Sequence, residues 1–211
     1  MKTNESKKIL LMTVGILLTA FLTACATKPD IIIDTESVSP GTQVSKKGAA
    51  LPLTGTAIEI GLQLPETKLV DMKTMKEVDL NDYRGSVLFL SIVPSIDTKV
   101  CEAQTHLLGE EGDVLPTTIR RIAISRDTPF AQARFAEEAK LEDIQYLSDY
   151  KEGAFGRSTG LLMEGPRFLA RSVMLVDKQG IVQYIQVLPD ITHLPDMDKA
   201  FAKAIELDNL P

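Results

Sequence analysis

Basic clusters, paired histidines and glycine-rich phosphate loops are all missing from this chain of 211 residues. Lysines and arginines form no cluster beyond the first few residues, which argues against a nucleic-acid partner because such binding depends on neutralising phosphates. The two histidines, His106 and His193, do not have the spacing of metal ligands, and no glycine-rich loop could hold a phosphate. We therefore predict neither a metal site nor a bound cofactor.

The chain also lacks an apolar run long enough to span a bilayer at its N-terminus. Residues 9–22, ILLMTVGILLTAFL, follow a basic start, and as a helix they would extend about 21 Å against a hydrocarbon core of about 30 Å. Such a run is typical of the apolar region of a secretory signal. It ends in Leu22-Thr23-Ala24-Cys25, which resembles the lipobox of bacterial lipoproteins.

The lipobox resemblance implies a signal peptide over residues 1–24, cleavage before Cys25, and acylation of the Cys25 sulfur and the new N-terminus. The protein would then be extracytoplasmic and anchored in the cell envelope, at the outer membrane or the periplasmic face in a Gram-negative cell. An ordinary secretory signal with an unmodified Cys25 is the alternative. Cleavage would remove three lysines and one glutamate, taking the net charge from −6 to −8. With Cys25 acylated, Cys101 is the only thiol, which excludes an intramolecular disulfide.

The remaining chain is predicted to comprise a tether and one domain. Residues 25–48 are rich in Pro, Gly, Ser and Thr without helical periodicity, which indicates an extracytoplasmic tether whose end could form a strand of a hairpin. Residues 49–211 alternate between short β-prone runs and amphipathic helical patterns. With 44% hydrophobic residues the chain can fill a core. The order strand, helix, strand, helix, hairpin, helix predicts an α/β domain whose central sheet has helices on both faces.

Four segments carry the clearest secondary-structure signals. Residues 86–93, SVLFLSIV, are typical of a strand buried on both faces. Thr128 and Pro129 are typical of the N-cap and first position of a helix. Residues 171–188 predict a β-hairpin that turns at 178–180. The closing amphipathic helix is predicted to begin at Pro195.

Cys101 lies where the buried strand gives way to a helix. Pro94 would end the strand, and Asp97 or Thr98 could cap the helix. Cys101 would then occupy the first helical turn, where unpaired N–H groups and the helix dipole favour an anion. An unperturbed thiol is only about 3% thiolate at pH 7, but a helix N-terminus and one arginine can make it mostly thiolate. The pattern predicts a reactive cysteine, with an inert buried thiol as the alternative.

Four ordered segments resemble the bacterial thiol peroxidases of the peroxiredoxin superfamily. They are VPSIDTKVCEAQ, ISRDTPFAQARFA, MEGPRFLARSVMLVD and VLPDITHLPDMDKA. The first contains the family signature of Pro, three residues, Thr, two residues and Cys, at Pro94, Thr98 and Cys101. The likeness extends from about Val44 to Leu207. It implies a thioredoxin fold, with a central mixed β-sheet flanked by helices and an N-terminal β-hairpin.

The resemblance also implies a reaction. Cys101 would reduce hydrogen peroxide and organic or lipid hydroperoxides and become a sulfenic acid. Thr98 would orient the peroxide, Arg171 would stabilise the thiolate, and Pro94 would shield it from water. Their alternatives are a helix cap for Thr98 and a surface ion pair for Arg171. An external reductant, either a thioredoxin-like protein or a low-molecular-weight thiol, and a homodimer are implied as well.

The sequence departs from this family at two positions. Ala136 stands where most relatives have the resolving cysteine, so the resolving position is vacant. Thr159 stands where the family usually has an aromatic residue, a change that affects either the substrate pocket or the dimer face. Without a resolving cysteine, a non-catalytic redox-sensing or binding lipoprotein is the alternative function. A thiol–disulfide oxidoreductase is disfavoured, because Thr98 and Gln104 occupy the positions that would complete Cys-x-x-Cys with Cys101.

Overall fold

The computed structural model describes residues 31–110, 114–141 and 143–210. The predicted signal peptide and the predicted lipidation site at Cys25 lie outside the described residues. Within the described ranges, no helix is both long enough and apolar enough to cross a membrane.

The described residues form twelve β-strands and four α-helices, with a 3-10 helix at Leu80–Tyr83. The strands are β1 (Ile33–Asp34), β2 (Gln43–Lys46), β3 (Ala49–Thr54), β4 (Lys68–Asp71), β5 (Glu77–Asp79), β6 (Leu88–Ile92), β7 (Arg120–Ser125), β8 (Gln145–Ser148), β9 (Leu162–Met163), β10 (Ser172–Val176), β11 (Val182–Val187) and β12 (Leu194–Pro195). The helices are α1 (Lys99–Glu110), α2 (Pro129–Ala139), α3 (Ala154–Thr159) and α4 (Met197–Asp208).

A seven-stranded mixed sheet organises the domain. Its strand order is β11-β10-β6-β7-β8-β4-β5. The pairs β6–β7 and β7–β8 are parallel, whereas β10 runs antiparallel to both β6 and β11. A three-stranded sheet contains the N-terminal β2–β3 hairpin and β9, and β1 pairs with β12 in parallel. The predicted central mixed sheet and N-terminal hairpin are therefore confirmed.

Each face of the large sheet has its own hydrophobic core. All five residues of β6 are buried, as predicted for a strand covered on both sides. Its side chains alternate, so that Leu90 joins the core beneath the hairpin and α3 while Phe89 joins the core beneath α1, α2 and α4. Phe89 stacks against Phe201 of α4 with 5.1 Å between ring centroids. The sheet is thus held between two layers.

Most of the helices and strands that local sequence patterns predict are present in the structure. The Thr128 hydroxyl accepts a hydrogen bond from the Ala131 N–H, and Pro129 opens α2. The hairpin of β10 and β11 is also confirmed. The closing helix begins later than predicted, at Met197, because Asp196 caps it by accepting from the Lys199 N–H at 3.0 Å.

The predicted tether is wrong for residues 31–48, which belong to the compact domain, although the hairpin strand expected at its end is present as β2. Val44 is buried, and the Val38 N–H donates to the Val187 carbonyl at 3.0 Å. The physical reason is that β11 is an edge strand whose free backbone groups need partners. The N-terminal segment supplies them, so the domain begins at Ile31 rather than at Ala49.

Candidate active site

The sheet topology brings three separate chain segments together where β6 and β7 end and β10 begins. The loop that carries Pro94 and Thr98 follows β6, and Asp127 follows the adjacent parallel strand β7. Arg171 immediately precedes β10, whose first residue Ser172 pairs with the last residue of β6, Ile92. Because β10 is antiparallel to β6, its start lies beside the end of β6. This end of the sheet therefore brings the residues of the family signature and Arg171 together.

Cys101 is the third residue of α1 and is fully buried. Its Sγ accepts hydrogen bonds from the Thr98 hydroxyl at 3.0 Å and from Arg171 Nη2 at 3.2 Å. Thr98 is exposed and directly precedes the helix, where its carbonyl accepts from the Glu102 N–H at 2.8 Å. Pro94 is buried after the end of β6. Two side-chain donors are thus aimed at one sulfur atom.

Arg171 is only 2% exposed, which contradicts a surface ion pair. Its Nε donates to the Ile191 carbonyl at 2.8 Å and its Nη1 donates to Gln104 Oε1 at 2.8 Å. Burial lowers the pKa of the Arg171 guanidinium, and the neighbouring Cys101 sulfur opposes this change. The three fixed donor contacts hold the guanidinium plane in one orientation, with one edge facing the sulfur.

Gln104 and Asp127 support the site and were missed in the sequence. Gln104 donates to Ser91 Oγ at 2.9 Å, so its Oε1 is fixed toward Arg171. Asp127 accepts from the Ser95 hydroxyl and from the Ile96 N–H, each at 2.8 Å, and thereby fixes the loop before α1. The sequence signal that could have revealed Asp127 is its position shortly after β7, because the carboxyl ends of adjacent parallel strands lie side by side in a sheet.

A groove of about 290 Å³ opens beside Thr98, between the start of α1 and the side of α2. We call it the Thr98 groove. It is lined by Ile96, Asp97, Thr98, Lys99, Glu102, Phe135, Glu138 and Ala139. Its walls combine an apolar part with three carboxylates and one lysine. Cys101 does not line the groove, but Thr98, which does, donates its hydroxyl to the Cys101 sulfur.

The two positions that depart from the family are both buried. Ala136 lies in α2 and is 1% exposed, while its neighbour Phe135 packs against the cluster that contains Cys101. Thr159 lies in α3, is fully buried, and donates to the Phe155 carbonyl at 2.7 Å. Phe155 belongs to the core on the hairpin side of the sheet. Thr159 is therefore a core residue and does not line the Thr98 groove.

Neither histidine contacts the sulfur. His106 Nδ1 lies 2.8 Å from Glu110 Oε1, one turn further along α1. His193 Nδ1 lies 3.1 Å from Asp34 Oδ2, where β1 meets β12. In the part of the chain that the structure describes, no group of three His, Cys, Asp or Glu side chains is arranged to hold a metal ion.

Comparison with known proteins agrees with this geometry. The Redoxin family model matches residues 59–201. The thiol peroxidase of Listeria innocua is 37% identical over 163 residues, covering 77% of this chain and 98% of the relative. The thiol peroxidase of Bacillus subtilis is 34% identical over 162 residues, covering 77% of this chain and 96% of the relative.

Solved structures show the same fold. A crystal structure of a peroxiredoxin-like protein from Aquifex aeolicus has a TM-score of 0.74 and 30% identity, covering 81% of this chain and 99% of that chain. A thiol peroxidase from Chromobacterium violaceum has a TM-score of 0.65 at 21% identity, covering 78% of this chain and 96% of that chain. The predicted thioredoxin-like fold is thus confirmed. By its Redoxin match and its relatives, the chain belongs to the bacterial thiol peroxidases, peroxiredoxin-type oxidoreductases.

Proposed function

We propose that this protein is a thiol peroxidase that reduces hydroperoxides through Cys101. The observation that carries the proposal is the pair of donors on a buried sulfur, Thr98 at 3.0 Å and Arg171 at 3.2 Å. Both donors stabilise a thiolate before the reaction, and Arg171 can also stabilise the negative charge that develops on the peroxide oxygens. A buried thiol kept only for packing would not need a buried guanidinium beside it.

The proposed step is a displacement at the terminal peroxide oxygen. The Cys101 thiolate forms an S–O bond while the O–O bond breaks, and the leaving alkoxide takes up a proton to become an alcohol. The net change converts a thiol and a hydroperoxide into a sulfenic acid and an alcohol, with the sulfur oxidised by two electrons. In this step the Thr98 hydroxyl turns from the sulfur toward the peroxide and orients it. Arg171 keeps its contacts with Gln104 and Ile191 throughout.

The Thr98 groove suggests the substrate class. Ile96, Phe135 and Ala139 offer an apolar wall for an alkyl or aryl group. The carboxylates of the groove outnumber its single lysine, which disfavours a substrate that carries its own carboxylate. We therefore propose neutral organic hydroperoxides, including esterified lipid hydroperoxides, as preferred substrates, with hydrogen peroxide small enough to react as well.

Recycling must come from outside the chain. Ala136 provides no thiol, so the sulfenic acid waits for an external one, either a thioredoxin-like protein or a low-molecular-weight thiol. Two equivalents of thiol restore Cys101 and leave one disulfide and one water. When the thiol is scarce, a second hydroperoxide oxidises Cys101 to the sulfinic acid. We propose that this occurs at the cell envelope, with an acylated Cys25 as the anchor and no role for Cys25 in turnover.

Steady-state consumption of cumene hydroperoxide tests the proposed function. The assay compares the wild type with Cys101→Ser and Cys25→Ser, using dithiothreitol, glutathione and thioredoxin as separate donors. We expect turnover with at least one donor, its loss in Cys101→Ser, and its retention in Cys25→Ser. A hydroperoxide of a free fatty acid should react more slowly than the cumene compound. Stoichiometric oxidation without turnover by any donor would instead favour the redox-sensing lipoprotein.

A further inference from the structure

A chain of hydrogen bonds connects the N-terminal hairpin to the Cys101 sulfur. The Ile191 N–H donates to the Ser45 carbonyl of β2 at 2.9 Å. The Ile191 carbonyl accepts from Arg171 Nε at 2.8 Å, and Arg171 Nη2 donates to Cys101 Sγ at 3.2 Å. Ile191 is therefore held on its N–H side and holds Arg171 on its carbonyl side. Its position sets the position of the guanidinium.

Asp190 fixes the loop in which Ile191 lies. Its Oδ1 accepts from the Thr192 N–H at 2.8 Å and from the Thr192 hydroxyl at 2.7 Å. Its Oδ2 accepts from the Lys47 N–H at 3.0 Å. One carboxylate thus closes the turn around Ile191 on one side and binds the β2–β3 turn on the other. Burial raises the pKa of Asp190, but the hydrogen bonds from Thr192 and Lys47 outweigh it, so that this pKa lies below its usual value.

The contact with Lys47 also has a conformational role. Lys47 has a φ of 51° and Gly48 a φ of 82°, which are the left-handed values that a two-residue hairpin turn requires. A lysine rarely adopts this conformation, because its Cβ approaches the backbone. The Asp190 carboxylate holds the Lys47 N–H in place and offsets part of that cost. The hairpin turn and the Ile191 loop are thereby fixed to each other.

We propose that Asp190 is a positioning residue for Arg171, and that the β2–β3 hairpin is part of the active-site scaffold. Asp190 acts by holding the Ile191 carbonyl at the one place where it can orient the guanidinium toward Cys101. This inference rests on the proposed reaction of Cys101. It means that the reaction requires, besides the sulfur and its two donors, a carboxylate that contacts neither the sulfur nor the substrate.

Asp177 offers a matched control. Its Oδ1 accepts from the Gln179 and Ile181 N–H groups, each at 2.9 Å, in the turn between β10 and β11. It is an aspartate that closes a turn through backbone N–H groups, as Asp190 is. Its turn supplies no acceptor to Arg171, whose three acceptors are Ile191, Gln104 and Cys101. A purely structural loss should therefore be similar for the two aspartates.

The test measures single-turnover oxidation of Cys101 by cumene hydroperoxide in Asp190→Ala, Asp190→Asn and Asp177→Ala, with urea unfolding of each variant. We expect Asp190→Ala to slow oxidation about tenfold, because a small displacement of a catalytic group is costly. Asp190→Asn retains an oxygen for Thr192 and should recover part of the rate. Asp177→Ala should keep the wild-type rate despite a comparable loss of stability.

A double variant separates positioning from general destabilisation. If Asp190 acts through Arg171, adding Asp190→Ala to Arg171→Met should slow oxidation no further. The proposal is overturned if Asp190→Ala slows oxidation by the same factor in the Arg171→Met background as in the wild type. It is also overturned if Asp190→Ala oxidises as fast as the wild type. Should Asp190→Ala not fold, Asp190→Asn is tested in its place, and a rate equal to that of the wild type, or an equal slowing in the wild-type and Arg171→Met backgrounds, overturns the proposal. Peroxide consumption that survives Cys101→Ser would refute the proposed function instead, which keeps the two failures distinct.

Discussion

Replacing Arg171 by methionine removes the guanidinium while keeping a side chain of similar length. The buried guanidinium has three acceptors, at Ile191, Gln104 and Cys101. Methionine fills much of the same space but donates no hydrogen bond. The substitution therefore leaves the Gln104 Oε1 without its donor inside the core. It also leaves the Cys101 sulfur with Thr98 as its remaining side-chain donor in the described structure.

Two magnitudes follow from these contacts. Loss of one preorganised donor to a developing anion typically slows the chemical step about 100- to 1000-fold, and we expect that range for oxidation of Cys101 by cumene hydroperoxide. The unpaired Gln104 oxygen should cost about 1–3 kcal/mol of unfolding free energy. Removal of a buried charge offsets part of that cost. Oxidation of Cys101 should therefore slow by more than the change in unfolding free energy can explain.

Stopped-flow measurement of thiol loss under single-turnover conditions provides the assay. Arg126→Met is the matched control, because Arg126 donates to the carbonyls of Asp149, Tyr150 and Arg167 but makes no contact with the sulfur. We expect the Arg126 variant to lose stability while keeping its rate within about threefold of the wild type. An Arg171→Met variant that oxidises as fast as the Arg126 variant would refute the role of the guanidinium.

Three further predictions concern the hydroxyl, the resolving position and the anchor. Thr98→Val keeps the branched shape of the side chain but removes a charge-assisted hydrogen bond to the sulfur. Oxidation by cumene hydroperoxide should therefore slow about 10- to 100-fold, while alkylation of Cys101 by iodoacetamide persists. An unchanged oxidation rate would leave Thr98 as a helix cap only. After one equivalent of hydroperoxide, Ala136→Cys should lose two hydrogens by forming a 101–136 disulfide, because the adjacent Phe135 packs against the cluster that contains Cys101. Intact-protein mass spectrometry that shows only an added oxygen would contradict this prediction. Protein purified from membranes should carry acyl chains on Cys25, and a soluble protein with a free Cys25 thiol would refute the lipoprotein prediction.

Local sequence signals predicted the elements that bear the site. The apolar run before Pro94 is a buried strand, and the pair Thr128 and Pro129 does begin α2. These features depend on neighbouring residues only, which explains why they can be read from sequence. The family resemblance likewise brought Thr98, Cys101 and Arg171 into one hypothesis, and the structure places Thr98 and Arg171 within hydrogen-bond distance of the Cys101 sulfur.

The contacts that orient Arg171 depend on tertiary structure. Gln104 lies 67 residues before Arg171 in the chain, and Ile191 contributes a backbone carbonyl that no residue type reveals. The Pro, Gly, Ser and Thr content of the N-terminal segment indicated a tether, and its β1 strand has only two residues, too few for any periodicity. Its partner β12 lies near the other end of the sequence. Pairings of that length and separation leave no pattern to detect.

Trapping the first oxidation product tests directly whether Cys101 is the sulfur that reacts with the hydroperoxide. The purified protein is treated with one equivalent of cumene hydroperoxide in the presence of dimedone, digested, and analysed by mass spectrometry. We expect a dimedone adduct on the peptide that contains Cys101, formed more slowly in Arg171→Met and absent in Cys101→Ser. An intersubunit disulfide through Cys101 in place of the adduct, or peroxide consumption with Cys101 unmodified, would contradict this expectation.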